Sequence, residues 1–254
     1  MASIVDAFNE SLSENMAIAK ISLYAIPVYI VLHLFIVGRM SEFYCFAIIV
    51  GVFLLGLLTQ GINNVRTNQR EILTFNLLKL VKAIGYSFIV VVPQLLIFGT
   101  IGSLIVKNVS IPIELPHVPL IFQIIVWSII FAIVLTSYLS FAKYLKILQG
   151  FNYATIFESC MDVFIGFLFF IPQLLLANVV LIGPIAYLFS YFKVPFTHWG
   201  FIAYCSAVII INVSILSNYM AQTAYEHIKG SNEEYDENVQ INLIDESAER
   251  LNGR

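Results

Sequence analysis

Six long apolar runs constrain this chain more than any other feature of its sequence. They cover residues 17–37, 43–61, 84–106, 119–142, 163–186 and 199–222. A helix needs roughly 20 residues to cross the hydrocarbon core of a bilayer, so each run is long enough to do so. The runs are continuous rather than alternating, which favours helices over the strands of a β-barrel. The sequence therefore predicts an all-α integral membrane protein with about six transmembrane helices.

Composition supports a lipid environment for most of the surface. The chain is 59% hydrophobic and 11% charged, with a mean hydropathy of +0.88, whereas soluble domains are about 25% charged. So few charges cannot cover an aqueous surface, and the expected partner is the lipid bilayer. The net charge of −3 comes without a concentrated basic face, which excludes a nucleic-acid partner.

The distribution of Lys and Arg predicts the orientation in the membrane. The loops at 62–83 and 143–162 hold more of these residues than the loops between them, and basic loops stay on the cytoplasmic side. We therefore expect a multi-pass protein of the plasma (inner) membrane with both termini cytoplasmic. Tyr187, Tyr191 and Trp199 then belong to the aromatic belt of the outer interface.

An internal repeat is visible in the apolar runs. A Pro-Gln-Leu-Leu motif begins at Pro93 and again at Pro172, 79 residues later, and a weaker third copy is centred on Pro27. The interpretation is a membrane domain over 1–228 built from units of approximately 1–61, 62–142 and 143–228. Residues 229–254 hold seven acidic and three basic residues and form an acidic cytoplasmic tail.

Each unit is expected to begin with a cytoplasmic amphipathic helix followed by a helical hairpin. Residues 4–15 fit this description in the first unit, and residues 71–82 fit it in the second, where apolar side chains lie opposite Asn76, Lys79 and Lys82. The alternative for the second segment is a simple extension of the third span into the cytoplasm.

The glycines at 56–61, the Asn-Asn-Val-Arg turn at 63–66, the stretch 73–85 and the span around Pro93 resemble a family. It comprises bacterial and archaeal multi-pass proteins catalogued as a membrane domain of unknown function, in which amphipathic segments alternate with hairpins. The chain departs from that pattern at 66–71, where the family's Pro-Gly-rich turn has no proline here. The resemblance implies an architecture and assigns no activity.

Polar residues at membrane depth are the candidate functional groups. Gln94 and Gln173 each follow a span proline, and Asn178 lies further along the fifth span. They line a cavity between the repeats, or they form hydrogen bonds between packed helices. The 79-residue offset also maps Lys79 onto Glu158, which suggests an ion pair between equivalent positions of two units.

No catalytic, metal or cofactor motif is present in the sequence. No Asp, Glu, Lys or Arg lies near the middle of any predicted span, and Cys45, Cys160 and Cys205 are isolated. We therefore expect a protein that is not an enzyme: a membrane scaffold or complex subunit that contacts other membrane proteins, or a cytoplasmic partner through its tail. The alternative is a permease-like transporter of a small or lipidic solute.

Overall fold

The computed structural model describes residues 4–13, 16–67, 72–108 and 118–228. The helices are α1 (Ile4–Ser13), α2 (Ala17–Ile36), α3 (Met40–Arg66), α4 (Leu77–Asn108), α5 (Val118–Ala142), a 3-10 helix (Ile147–Phe151), α6 (Tyr153–Tyr191) and α7 (Trp199–His227). Every regular element within these four ranges is helical, as the sequence predicts. The tail at 229–254 lies outside the described residues.

The six long helices, α2 to α7, are each long and apolar enough to cross a membrane. They coincide with the six predicted spans, so a multi-pass membrane protein is confirmed. Several are longer than predicted: α4 begins at Leu77 rather than at 84, and α6 begins at Tyr153 rather than at 163. Hydropathy locates the stretch that meets hydrocarbon, whereas a helix continues into polar sequence as long as its backbone hydrogen bonds are made.

The long helices form a bundle with an inner and an outer set. The inner helices α3, α5 and α7 contact one another, and each outer helix packs between two inner ones. Helix α2 packs on α3 and α7, α4 on α3 and α5, and α6 on α5 and α7. In the most apolar stretch of each inner helix 39% of residues are buried, compared with 28%, 17% and 6% in α2, α4 and α6. The three hairpins α2–α3, α4–α5 and α6–α7 thus close into a ring.

Two apolar clusters hold the ring together. One joins α2, α3 and α7 through Val28, Leu57 and Ile210, all of which are buried. The other joins α5, α6 and α7 and includes Leu139, Val163 and Ala224, each 0% exposed. Because lipid is as apolar as these side chains, close van der Waals packing and hydrogen bonds stabilise the bundle here, rather than the exclusion of water.

A short segment precedes each outer helix and packs on the hairpin before it in the ring. Helix α1 packs on α7, α2 and α6, and it buries Ala7 against Phe170 and Tyr219. The 3-10 helix packs on α5 and α4. A helix is therefore present at Ile4–Ser13, within the predicted segment 4–15, of which residues 14–15 lie outside the described residues. Its position on the cytoplasmic side stays a prediction.

The helix predicted over residues 71–82 is only partly correct. Residues 72–76 are not helical, and α4 begins at Leu77, so the second half of the segment is an extension of the third span. Asn76 explains the boundary, because its Oδ1 accepts the backbone N–H of Lys79 at 2.9 Å and caps the first turn of α4. Upstream of Asn76, side chains of α2 and α3 bind the carbonyl groups of Ile72 and Thr74.

Candidate functional site

Buried hydroxyl groups meet where α3, α4 and α5 pack together. The Oγ1 of Thr59 lies 2.8 Å from the Oγ of Ser87 and 2.6 Å from the Oη of Tyr138. Thr59 and Ser87 are 0% exposed, and Tyr138 is 6% exposed. Thr59 thus links the other two hydroxyls, and Thr59 and Ser87 also donate to the carbonyls of Leu55 and Ala83. These bonds matter inside the bundle, where a polar group without a partner is costly.

The last turns of α3 carry a row of amide side chains. Gln60, Asn63 and Asn64 are all buried, and their i, i+3 and i+4 spacing puts them on one face of the helix. The Nε2 of Gln60 donates to the Oγ1 of Thr74 at 2.6 Å, and the Nδ2 of Asn64 donates to the carbonyl of Ile72 at 2.8 Å.

The same end of α3 is also fastened to α5. The Nδ2 of Asn63 donates to the carbonyl of Lys143 just after α5, and the Nη1 of Arg66 donates to the carbonyl of Leu139 at 3.0 Å. These bonds satisfy carbonyl groups at the C-terminal end of α5, which have no partner within that helix. The polar end of α3 therefore joins the segment 72–74 and helix α5.

Gln94 has a structural contact in the bundle. It is 0% exposed, and its Nε2 donates to the carbonyl of Gly150 in the 3-10 helix at 3.0 Å. The Oγ of Ser137 on α5 donates to the same carbonyl. Gln94 thereby connects α4 to the segment that precedes α6, which is the arrangement expected of a polar inter-helix contact.

Gln173 and Asn178 lie in different surroundings from Gln94. Asn178 accepts at Oδ1 from the Nδ2 of Asn212 on α7 at 2.7 Å, and its own Nδ2 donates to the carbonyl of Leu174. Gln173 is half-buried and lines a cavity of about 270 Å³ between α6 and α7. Although Gln94 and Gln173 each belong to a Pro-Gln-Leu-Leu motif, Gln94 is enclosed by packing and Gln173 borders open space.

Polar side chains line the cavity between α6 and α7, and this cavity is the candidate binding site. Its wall includes Asp162, Gln173, Tyr219, Thr223, Glu226 and His227. A second, wider hollow of about 500 Å³ lies between α5 and α6 and is lined mainly by apolar side chains such as Trp127, Phe131 and Phe164. Only the first of the two offers groups that recognise a charged ligand.

The Lys79–Glu158 pair stays a prediction. Lys79 lies in the first turn of α4, where its Nζ donates to the Oδ1 of Asn64. Glu158 is exposed on α6.

Metal binding finds no support in the described part of the chain. Within residues 4–13, 16–67, 72–108 and 118–228, no three His, Cys, Asp or Glu side chains are close enough together to hold a metal ion.

Sequence reasoning missed the polar residues of the inner helices. The second predicted span contains Gln60, and the predicted loop at 62–83 contains Asn63 and Asn64, where amide side chains are common. Their i, i+3, i+4 spacing was the available signal of a polar helix face, since α3 continues to Arg66. Thr59 and Tyr138 carried no comparable signal, because single hydroxyl groups occur in many transmembrane helices.

Comparison with known proteins identifies no relative of this chain. No protein-family model, curated protein or solved structure matches the chain.

Proposed function

We propose that this protein is a non-enzymatic membrane component, either a scaffold or a subunit of a larger membrane complex. The observation that carries the proposal is the use made of buried polar groups at the centre of the bundle. Thr59 binds both Ser87 and Tyr138, and the Nε2 of Gln94 donates to a backbone carbonyl. Hydroxyl groups and amide donors engaged in this way hold helices in register and are not available to a passing solute.

Close helix contacts support the same proposal. A Cβ atom on Gly61 of α3 would lie 2.6 Å from the Cβ of Ser217 on α7, and one on Gly56 would overlap Ile84 of α4. Small residues allow helix backbones to approach closely in membranes. A solid interior of this kind suits a protein that presents its outer surface to lipid and to other membrane proteins.

We further propose three repeat units, 1–61, 62–142 and 143–228, each with a lead-in segment and a hairpin. Two observations support them. Pro27, Pro93 and Pro172 lie within α2, α4 and α6, the three outer helices. The contacts also follow a cyclic rule, since each outer helix packs on its own inner helix and on the inner helix of the preceding hairpin in the ring.

The proposed location is the plasma (inner) membrane, with both termini cytoplasmic. An even number of long helices supports termini on one side. The exposed aromatic residues Tyr187, Tyr191 and Trp199 lie at one end of the α6–α7 hairpin, where an interfacial belt is favourable. Lys143 and Lys146 lie after the C-terminal end of α5 and contact the ring of Tyr144.

Substituted cysteines test a packed interior against a solute pathway. In a background with Cys45, Cys160 and Cys205 replaced by alanine, Thr59→Cys and Ser87→Cys change little volume. Thr67→Cys is the matched control, because Thr67 follows α3 and is exposed. Each variant is reconstituted into vesicles and treated with a membrane-impermeant thiol reagent, first intact and then after permeabilisation.

Position 67 should be labelled rapidly, either in intact vesicles or, if it faces the vesicle interior, once permeabilisation admits the reagent. Positions 59 and 87 should react only after unfolding in strong detergent. Rapid labelling of positions 59 and 87 in the folded protein would mean that water reaches the centre of the bundle. That outcome would overturn the scaffold proposal and favour the permease-like alternative.

A further inference from the structure

The cavity between α6 and α7 is built from one face of each helix. Asp162, Gly166, Phe169 and Gln173 recur at the spacing of a single face of α6, and Ile165 lies beside them. The facing residues on α7 are Tyr219, Thr223, Glu226 and His227. The cavity thus lies toward the C-terminal end of α7, in the half of the bundle that we propose to be cytoplasmic.

The two helices touch at Gly166, which leaves space for the cavity around the contact. A Cβ atom there would lie 2.9 Å from the Cγ2 of Thr223, so only glycine allows this approach. The Oη of Tyr219 donates to the carbonyl of Gly166 at 3.1 Å and fixes the crossing. The cavity of about 270 Å³ is therefore held open by a defined helix contact.

The polar groups of the cavity are mainly hydrogen-bond acceptors. Asp162 and Glu226 contribute carboxylates, and the only basic group in the wall is the imidazole of His227, 3.7 Å from Glu226. Thr223 is 1% exposed, and its Oγ1 lies beside the hydroxyl of Tyr219 but makes no well-formed hydrogen bond to the described residues. Gln60 and Gln94 also have a buried oxygen without a partner in the described part of the chain, but Thr223 belongs to the wall of the cavity, where a ligand can supply the missing donor.

These acceptors fit a cationic donor better than a metal ion or an anion. A primary ammonium group carries one positive charge and three N–H donors, which matches two carboxylates and a hydroxyl. A metal site is not supported, since the residues that the structure describes contain no cluster of three ligands. An anion would meet two carboxylates of its own sign.

The apolar side of the cavity indicates where such an ammonium group comes from. Ile165 and Phe169 belong to the wall and are 46% and 62% exposed on a helix that crosses the membrane. Acyl chains therefore have direct access to one side of the cavity, while Asp162 is exposed near the opposite end of the same face. A ligand with a charged head and an apolar body fits both.

We propose that the α6–α7 cavity binds the primary ammonium headgroup of a membrane lipid. Asp162 and Glu226 bind the positive charge of the ammonium group, and Thr223 accepts one N–H. The amide of Gln173 closes the cavity on the side toward the middle of α6. This site goes beyond the scaffold role and does not depend on it.

The test measures lipid binding to the purified full chain in bilayer nanodiscs. Phosphatidylethanolamine, with a primary ammonium group, is compared with phosphatidylcholine, whose quaternary ammonium has no N–H donor. Native mass spectrometry counts the lipids retained. We expect at least about tenfold preference for phosphatidylethanolamine, because hydrogen bonds to charged groups are stronger than neutral ones.

Variants assign that preference to the cavity. Asp162→Asn and Thr223→Val each remove one acceptor with little change in shape, and each should reduce the preference by about fivefold or more. Glu158→Gln is the matched control, because Glu158 lies one turn before Asp162, is exposed and is not part of the wall. It should retain the wild-type preference. Asp162 is itself exposed, so its variant is expected to fold, and melting temperatures verify this for all three.

Three results would overturn the proposal. The first is equal binding of the two lipids, and the second is the same lipid preference in Asp162→Asn as in Glu158→Gln. The third is displacement of the lipid by free ethanolamine at equal concentration. The last result would retain the ammonium chemistry but exclude a lipid as its source.

Discussion

The hydroxyl groups of Thr59 and Tyr138 lie 2.6 Å apart in the centre of the bundle, and 79 residues separate them in the sequence. The same interval separates Pro93 from Pro172 and Tyr138 from Ser217. Ser217 in turn donates to the carbonyl of Leu58 at 3.3 Å, next to Thr59. Hydroxyl-bearing residues of α3, α5 and α7 that follow one another at this interval thus lie where the three inner helices contact one another.

Removing either hydroxyl of this pair should lower stability by a modest amount. Tyr138→Phe and Thr59→Val each remove one partner, and hydrogen bonds between membrane helices contribute about 0.6 kcal/mol on average and about 1.7 kcal/mol at most. Unfolding of the purified protein in mild detergent measures the change. The double variant should lose less than the sum of the single variants, because both act on one bond.

The matched control for this pair is Tyr191→Phe, since Tyr191 is 69% exposed at the far end of α6. It should leave the unfolding free energy unchanged. Strict additivity of Tyr138→Phe and Thr59→Val would show that the two hydroxyls do not interact.

Gln94 and Gln173 should respond differently to the same substitution. Gln94→Leu removes the donor to the carbonyl of Gly150, and leucine must then fit a fully buried position. We expect the free energy of unfolding to fall by about 1 kcal/mol or more. Ser137 still donates to the same carbonyl, so the loss is smaller than for a carbonyl left without any donor. Gln173→Leu faces a cavity and should change stability by less than about 0.5 kcal/mol. Equal losses in thermal unfolding would contradict the different surroundings of the two residues.

Two glycines on α3 provide a test of helix packing. Gly61→Ala adds a methyl group 2.6 Å from the Cβ of Ser217, and overpacking of this kind costs roughly 1–3 kcal/mol. Gly51→Ala meets no atom within 4 Å and should keep stability constant or raise it by up to about 1 kcal/mol. Denaturant unfolding in detergent micelles measures both. If alanine is tolerated equally at the two positions, α3 and α7 do not approach as closely as described.

The proposed orientation predicts opposite labelling of two lysine positions. Lys146 follows α5, and Lys193 lies in the turn between α6 and α7. In the cysteine-free background, Lys146→Cys should react with an impermeant reagent only from the cytoplasmic side, and Lys193→Cys only from the outside. Right-side-out and inverted membrane vesicles separate the two cases. Labelling of both positions from one side would contradict an odd number of crossings between them.

The spans could be predicted from sequence because a bilayer imposes a length and a polarity on any helix that crosses it. The helix ends could not, since Lys79 near the start of α4, and Glu158 and Asp162 near the start of α6, are charged yet helical. Hydropathy decides which residues meet hydrocarbon and does not decide where backbone hydrogen bonding stops. Asn76 did carry a local signal, as a good capping residue directly before α4.

The contacts of the candidate sites were less predictable than the spans. Gln94 was identified from its depth, but its partner Gly150 lay in what the sequence indicated was a loop. The facing of Asp162 and Glu226 across one cavity depends on how α6 and α7 cross at Gly166. A single sequence records which faces are polar, while the order of helices around the ring determines which faces meet.

Helix α7 contacts α1, α2, α3, α5 and α6, and it is the last of the six long helices in the chain. The ribosome therefore synthesises α7 after all the helices that pack on it. Until α7 leaves the insertion machinery, α2 and α6 each lack one of the two inner helices on which they pack, and incomplete assemblies of this kind are targets of quality control. Substitutions in α7 should consequently reduce the amount of protein that accumulates in cells more than their effect on the finished molecule suggests.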